Sequence, residues 1–537
     1  MISNHFRSRH AALIAGLVCL LIYLPALRCG FVNVDDPDYV LNNPLIRNLD
    51  PGTLLSIFSR SHLGWWMPLT WISLAMDYRF WGVNPLGYHL TNIVLHSVNT
   101  ALVVLIADRI ARRCSGSPVQ PGYRYAGLLI FVGLFFGIHP LRVESVAWVS
   151  ERKDVLNGCF VFSSVLFYLL FAEAREDSSG RRRAGRFYAL SLFCFVLSLM
   201  AKSVSVVLPL MLLTFDWFPL GRAGRAPFRK ILLEKAPFIV VSVAMALFTL
   251  FFAFNSQYLV TYEVFPLVQR AAVSGNAVWE YCRMLLLPVG LSPFNIIPDP
   301  VPAAYYLKSV LVLIAIACVL FARISARFKS SLVCFLLPLL PVLAFFQNGD
   351  QSFADRFTYL PSLSISLLLA QTLPGVYESG KTPLAKRMMA FAAVLAMVLL
   401  TLGTVRQIGV WQSAETYWNR VIQIEPLAIS YKERGRYYHS VGRYDAAVAD
   451  FTAAIGKVTA TLKPYEYNLY AFRAESFRAS GRLGDAVRDF DKAIAFHPHP
   501  AYYYHRGLAL QAMGRNAEAD EDFRRAGSVR GPINWFD

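Results

Sequence analysis

Gly442-Arg443-Tyr444-Asp445-Ala446-Ala447-Val448-Ala449-Asp450-Phe451 recurs further on as Gly481-Arg482-Leu483-Gly484-Asp485-Ala486-Val487-Arg488-Asp489-Phe490. A weaker copy, Gly514-Arg515-Asn516-Ala517-Glu518-Ala519, is followed by Phe523. The aromatic anchors Trp418, Phe451, Phe490 and Phe523 stand 33, 39 and 33 residues apart. Small residues alternate with bulky ones at a spacing that suits pairs of packed helices. The longer middle interval implies an insertion around Thr459–Tyr465, in the turn between two units.

This pattern resembles tetratricopeptide repeats of about 34 residues, and it accounts for about three and a half of them. Such repeats stack into scaffolds that bind other chains, so a peptide or protein ligand is expected here. Tyr437, Tyr438, Tyr467, Tyr470 and Tyr502–Tyr504 fall in the same region, and packing between helices accounts for most of them.

The sequence before the repeats has a different character. Of 537 residues, 55% are hydrophobic and only 16% are charged. Soluble domains carry about a quarter charged residues, so much of this chain belongs in lipid. The net charge of +17 would suit nucleic acid. However, Lys and Arg gather in short loops between apolar runs, which points to membrane topology and to no nucleic-acid partner. The 8 cysteines include no CxxC pair, and Cys19, Cys159, Cys194, Cys318 and Cys334 lie within apolar runs as small core residues. Arg7 and Arg9 precede an apolar run ending near Leu27 with no small-x-small site after it, which predicts an uncleaved first span.

A span needs roughly 20 apolar residues. Spans are expected near 11–27, 86–108, 124–140, 155–172, 187–201, 203–218, 237–254, 304–322, 331–347, 358–373 and 388–405, about 11 in all. Five basic loops then fall on one side: Arg109 to Arg124, Arg175 to Arg186, Arg222 to Lys235, Arg323 to Lys329, and Lys381 to Arg387. That side is the cytoplasm, together with the N-terminus. The stretch 255–303 must begin and end outside, so Ala271–Leu287, with Glu280 and Arg283 beside Trp279 and Tyr281, is expected as an amphipathic interfacial helix. Everything after about residue 406 is then periplasmic.

This topology puts most of the unusual polar residues on the outer side. The first outer loop runs Phe31-Val32-Asn33-Val34-Asp35-Asp36-Pro37-Asp38-Tyr39. Adjacent carboxylates tune each other's proton affinity, which suits a general base, although a solvated turn uses the same residues. The third loop runs His139-Pro140-Leu141-Arg142-Val143-Glu144-Ser145-Val146-Ala147-Trp148-Val149-Ser150-Glu151-Arg152-Lys153-Asp154, with seven ionisable groups in sixteen residues. Charges at a membrane boundary pair with one another or line a wet cavity. Lys202 interrupts an apolar run, and Asp355-Arg356 precedes a span. Arginine suits phosphate through its bidentate fork. His62, His89 and His96 lack the acidic spacing of a metal site; no metal ligands are assigned, and a divalent-metal requirement stays open.

The order FVNVDD, MPLTW, GVNPLGYHLTNIVLH, HPLRVESVAWVSERKDVL, MAKSVSVVLPLMLL and ADRFTYLPS resembles the transmembrane and tetratricopeptide-repeat O-mannosyltransferases over nearly the whole chain. The resemblance implies an all-α fold: a polytopic GT-C membrane domain over 1–405, then a periplasmic tetratricopeptide-repeat solenoid over 406–537. It also implies a polyprenyl-phosphate-linked sugar as donor. Carried over residue by residue, it makes Asp35 or Asp36 the catalytic base, with Asp35 preferred. Arg356, Lys202 and Arg152 would hold the donor phosphate, and His139, Glu144, Glu151 and Asp154 form the second acidic loop. The expected reaction is an inverting transfer of a sugar such as mannose to a protein Ser or Thr at the periplasmic face of a bacterial inner membrane. Transfer to a lipid or surface glycan, and a non-catalytic repeat scaffold, are the alternatives.

Overall fold

The computed structural model describes residues 2–114, 123–177, 180–255, 263–346, 351–380, 382–458 and 466–528. Among them the structure is helical, with two isolated β-bridges. The chain forms two compact units, one of Met1–Gly30 with Asp38–Trp411, the other of Phe31–Pro37 with Gln412–Asp537.

Among the described residues of the first unit, seven helices are long and apolar enough to cross a membrane: Arg7–Arg28, Pro85–Cys114, Val149–Glu176, Arg181–Ala201, Phe228–Phe252, Ala303–Phe321 and Pro383–Val410. Tyr123–Gly137 and Pro140–Ala147, bent by 50° at their junction, add an eighth if taken as one span. The chain is therefore a multi-pass membrane protein. Three of the eleven expected spans take other forms. Ser203–Trp217 is a shorter apolar helix. The expected span at 331–347 is the helix Ala326–Leu336 continued by tighter turns over Leu337–Val342. Pro338 and Pro341 explain the change, because neither has an N–H to extend the helical ladder. The expected span at 358–373 starts only at Ser362, after Pro361, and carries Pro374 within the helix Ser362–Ser379.

The Leu267–Leu286 helix also departs from expectation. It buries Arg270, Asn276, Glu280 and Tyr281 and exposes Val268 and Leu286, the reverse of a helix with its polar face in water. Lys308 Nζ, from the adjoining Ala303–Phe321 helix, lies 2.7 Å from Glu280 Oε1 and 3.1 Å from Asn276 Oδ1. Polar residues that would have marked an interfacial face are satisfied inside the protein instead.

Helices Arg152–Glu176 and Arg181–Ala201 pack as a hairpin. Its basic end is tied by ion pairs of Arg113 with Glu176 and of Arg175 with Glu234. Below them Asp216, almost wholly buried, receives Lys235 at 2.5 Å and Arg222 at 2.8 Å. The other end of the hairpin brings residues 151–154 and 202 together. There Gly158 allows a close approach: a Cβ on it would stand 2.6 Å from Tyr359 Cε1.

The second unit contains the repeats. Ala414–Ile424 is a half unit, followed by three helix pairs: Ala428–Ser440 with Tyr444–Ile455, Glu466–Ala479 with Leu483–Phe496, and Pro500–Ala512 with Asn516–Ala526. Gly442, Gly481 and Gly514 turn each pair at φ of 78°, 80° and 77°, a conformation that favours glycine. Trp418, Phe451 and Phe490 are buried at the expected anchor positions. The insertion at Thr459–Tyr465 lies outside the described residues. Each pair is also stapled by a bidentate Arg–Asp pair across sixteen residues, Arg434–Asp450, Arg473–Asp489 and Arg506–Asp522. The segment Phe31–Pro37 joins this unit through Asn33, which donates to the Glu433 carbonyl at 3.0 Å and accepts from Trp418 Nε1 at 2.9 Å.

Glu475 gives the repeats a pH-dependent brace. Burial would raise its carboxyl, but hydrogen bonds from Arg478 and His505 outweigh that and hold it at about 2, against an ordinary 4.5. A carboxyl lowered on folding contributes stability above its unfolded value, and that stability is lost as pH falls through the folded one. The repeat unit is expected to lose up to about 2–3 kcal/mol from this group between about pH 4.5 and pH 2. Thermal melts of the whole protein across that window check it. Glu475→Gln should flatten the dependence, and an unchanged slope would exclude this assignment.

Candidate donor-binding cleft

The third loop folds into two short helical segments, Val143–Ala147 and Val149–Glu151, that run into the Arg152–Glu176 helix. This winding turns Glu144, Glu151 and Asp154 into one buried cluster. Three cations meet them. Arg356 pairs with Glu144 through Nη1, and its backbone N–H donates to Glu144 Oε2 at 2.9 Å. Arg356 Nε is 3.3 Å from Glu151 Oε1, an oxygen that also receives Lys153 Nζ at 3.1 Å. Lys202 Nζ is 2.6 Å from Asp154 Oδ1 and 3.6 Å from Glu151 Oε2. Ser145 Oγ donates to Asp154 Oδ2 at 3.1 Å.

Asp154, Lys202 and Arg356 form the polar side of a small, partly open cleft. Pro338, Val342 and Leu360 supply its apolar side. Two cations beside an apolar wall suit an anionic group carried on a hydrocarbon chain. Asp355 lies close by, outside the spans. Burial, then the charge of Glu144, pushes its carboxyl well above the ordinary range, against the pull of Arg142 and Arg356.

Within the first unit, two other residues expected at the site turn away from this cluster. Arg152 was expected with the phosphate-binding cations, yet its guanidinium is fully buried elsewhere. It pairs with Asp77 at 2.6 Å, donates to Ser73 Oγ at 2.7 Å and the Tyr88 carbonyl at 2.8 Å, and bonds Asn92. With its donors committed, Arg152 holds helices together. His139 also turns away: Nε2 faces the Leu285 carbonyl at 3.2 Å, and Nδ1 accepts from the Leu141 N–H at 3.3 Å. Asp35 and Asp36 belong to the other unit, where Asp36 is buried and accepts from the Val32 N–H at 2.8 Å, while Asp35 is half-buried.

His62, His89 and His96 do not converge on one point. His96 contacts the Tyr359 hydroxyl and the Gly137 carbonyl, each at 2.8 Å, whereas His62 faces the Asp38 carbonyl at 3.3 Å. Among the described residues no group of three or more His, Cys, Asp or Glu side chains is placed to hold a metal.

Sequence reasoning missed Lys153 and Tyr39. The Lys153 ammonium donates to the Tyr39 hydroxyl at 3.1 Å and sits 4.5 Å above its ring. The signal was present as a second cation beside Arg152, but adjacent residues on a helix point about 100° apart and the sequence does not say which faces the acids.

Fold and tail define a class: a multi-pass, all-helical membrane protein carrying tetratricopeptide repeats. The tetratricopeptide-repeat family model matches residues 500–528. The human protein O-mannosyl-transferase TMTC1 is 24% identical over 476 residues, covering 78% of this chain and 51% of that protein. The protein O-mannosyl-transferase Tmtc1 of Drosophila melanogaster is 36% identical over 164 residues, covering 29% of this chain and 17% of that protein. A crystal structure of the Archaeoglobus fulgidus oligosaccharyltransferase, tethered with an acceptor peptide, aligns with a TM-score of 0.40 and 11% identity over 81% of this chain and 58% of that one. The chain is thus similar in sequence to proteins named protein O-mannosyl-transferases. It spans about half the length of the human relative.

Proposed function

We propose that this protein is an inverting glycosyltransferase of GT-C type. It moves a sugar from a polyprenyl-phosphate donor to a Ser or Thr hydroxyl of a polypeptide, at the periplasmic face of a bacterial inner membrane. The observation that supports this reading best is the cleft itself, with Lys202 and Arg356 beside an apolar wall. A phosphate bound there keeps its prenyl chain against apolar surface. Lys202 and Arg356 offset the charge that grows on the phosphate as the glycosidic bond breaks. Asp35 or Asp36, assigned from the sequence pattern, takes the proton from the acceptor hydroxyl as it attacks. The names of the homologues support mannose as the sugar and protein as the acceptor. The repeats bind the polypeptide.

The test is sugar transfer by the purified, nanodisc-embedded protein from a panel of undecaprenyl-phosphate sugars, with Ser- and Thr-containing peptides, lipids and glycans offered together. Label on peptide is the expected result. Label on lipid or glycan alone would replace the acceptor. No turnover with any donor would favour a repeat scaffold.

A further inference from the structure

Both cleft cations are already committed. Lys202 is held by Asp154 and Glu151, and Arg356 by Glu144 and Glu151. A phosphodiester entering the cleft must draw hydrogen bonds from these same cations, because they are the ones that line it. Asp154 also lines the cleft, and it is the carboxylate from which Lys202 would be drawn away. It is buried, the neutral Ser145 hydroxyl donates to it, and the carboxylate of Glu151 lies beside it. A buried carboxylate that loses its cation while an anion arrives beside it does not stay ionised at ordinary cost.

We infer that donor binding is coupled to uptake of one proton by Asp154. The inference rests on the donor reading above. Among the described residues Lys202 is the cation within ion-pair distance of Asp154. Glu144 and Glu151, on the segments before the Arg152–Glu176 helix, are acidic and already share Arg356. Lys153, on the same helix, turns to Glu151 and Tyr39. From the turn at 355–358 come Arg356 itself and Asp355, and Tyr359 follows with its hydroxyl bonded to His96 and accepting from the Asn99 amide. Arg142 is buried between the Phe136 and Tyr359 rings and donates to Thr358. The proton comes from solvent and stays on the carboxyl, whose O–H then donates where the ammonium did. No bond to the donor is made or broken in this step.

The probe is the methyl phosphodiester of farnesol, which carries a single charge and does not titrate near neutral pH. Calorimetric titration into the whole protein in nanodiscs, repeated in buffers of different ionisation enthalpy, counts protons. The expected result is uptake of about one proton per ligand, with affinity falling about tenfold per pH unit on the alkaline side. Asp154→Asn should bind with no proton exchange and no pH dependence. The wild-type count decides the matter alone, so a poorly folded variant does not rescue the proposal. Binding without proton exchange would overturn this inference and leave the donor reading standing. Absence of saturable binding would remove the donor reading, and this inference with it.

Discussion

Asp35→Asn is expected to lower the rate of sugar transfer by about a hundred- to ten-thousand-fold, the usual contribution of a positioned general base. The amide matches the carboxylate in shape, so KM should change little while kcat falls. Asp36→Asn is expected to behave differently. Asp36 is buried and accepts the Val32 N–H, a role that an amide oxygen can fill, so its substitution should act mainly on stability. Asp35 is the more exposed of the two. Single-turnover transfer and melting temperature, measured on both variants, separate the roles. A large fall in kcat for Asp36→Asn with Asp35→Asn intact would exchange them. Full activity in both would remove this segment from the chemistry.

The second large effect is expected at Arg356. Arg356→Gln should cost about a hundred- to a thousand-fold in kcat, as loss of a preorganised group facing developing charge does. The substitution also leaves Glu144 buried without its guanidinium, so a fall in stability is expected alongside. The two effects are separable. Arg356→Lys restores a cation without the fork and should regain part of kcat. Donor binding measured apart from turnover should weaken much less than kcat falls, because the leaving phosphate carries more charge than the bound diester. Equal losses in binding and turnover would mean that Arg356 holds the donor without assisting departure. An unchanged kcat would place the phosphate elsewhere.

Much of the architecture was legible in advance because its signals are local. A repeat announces itself through glycine turns and small-to-large alternation at a fixed period, and each helix pair packs on its neighbour. Apolar runs and basic loops mark a membrane chain for the same reason, since the bilayer tests one segment at a time. Local signals were less reliable where a run had to remain a single helix. Pro338, Pro341 and Pro361 break stretches that hydropathy joins. They also misjudged the Leu267–Leu286 helix, whose polar residues find partners on a helix some thirty residues further along.

The cluster shows the same division. That Glu144, Glu151, Asp154, Lys202 and Arg356 were unusual could be read from charge set among apolar residues. Which of them meet could not. Arg152 and Lys153 are neighbours, yet one is bound by Asp77, Ser73 and Asn92 and the other turns to Glu151 and Tyr39. Apart from Glu151, those partners lie far away in the chain, and the direction of each side chain depends on how separate helices cross. The sequence alone determined a polytopic helical membrane protein with a repeat tail and a dense set of charges beside its spans. Tertiary packing alone decided which charges neutralise one another and which cations face a cleft, because a buried charge takes whatever partner the fold brings within reach.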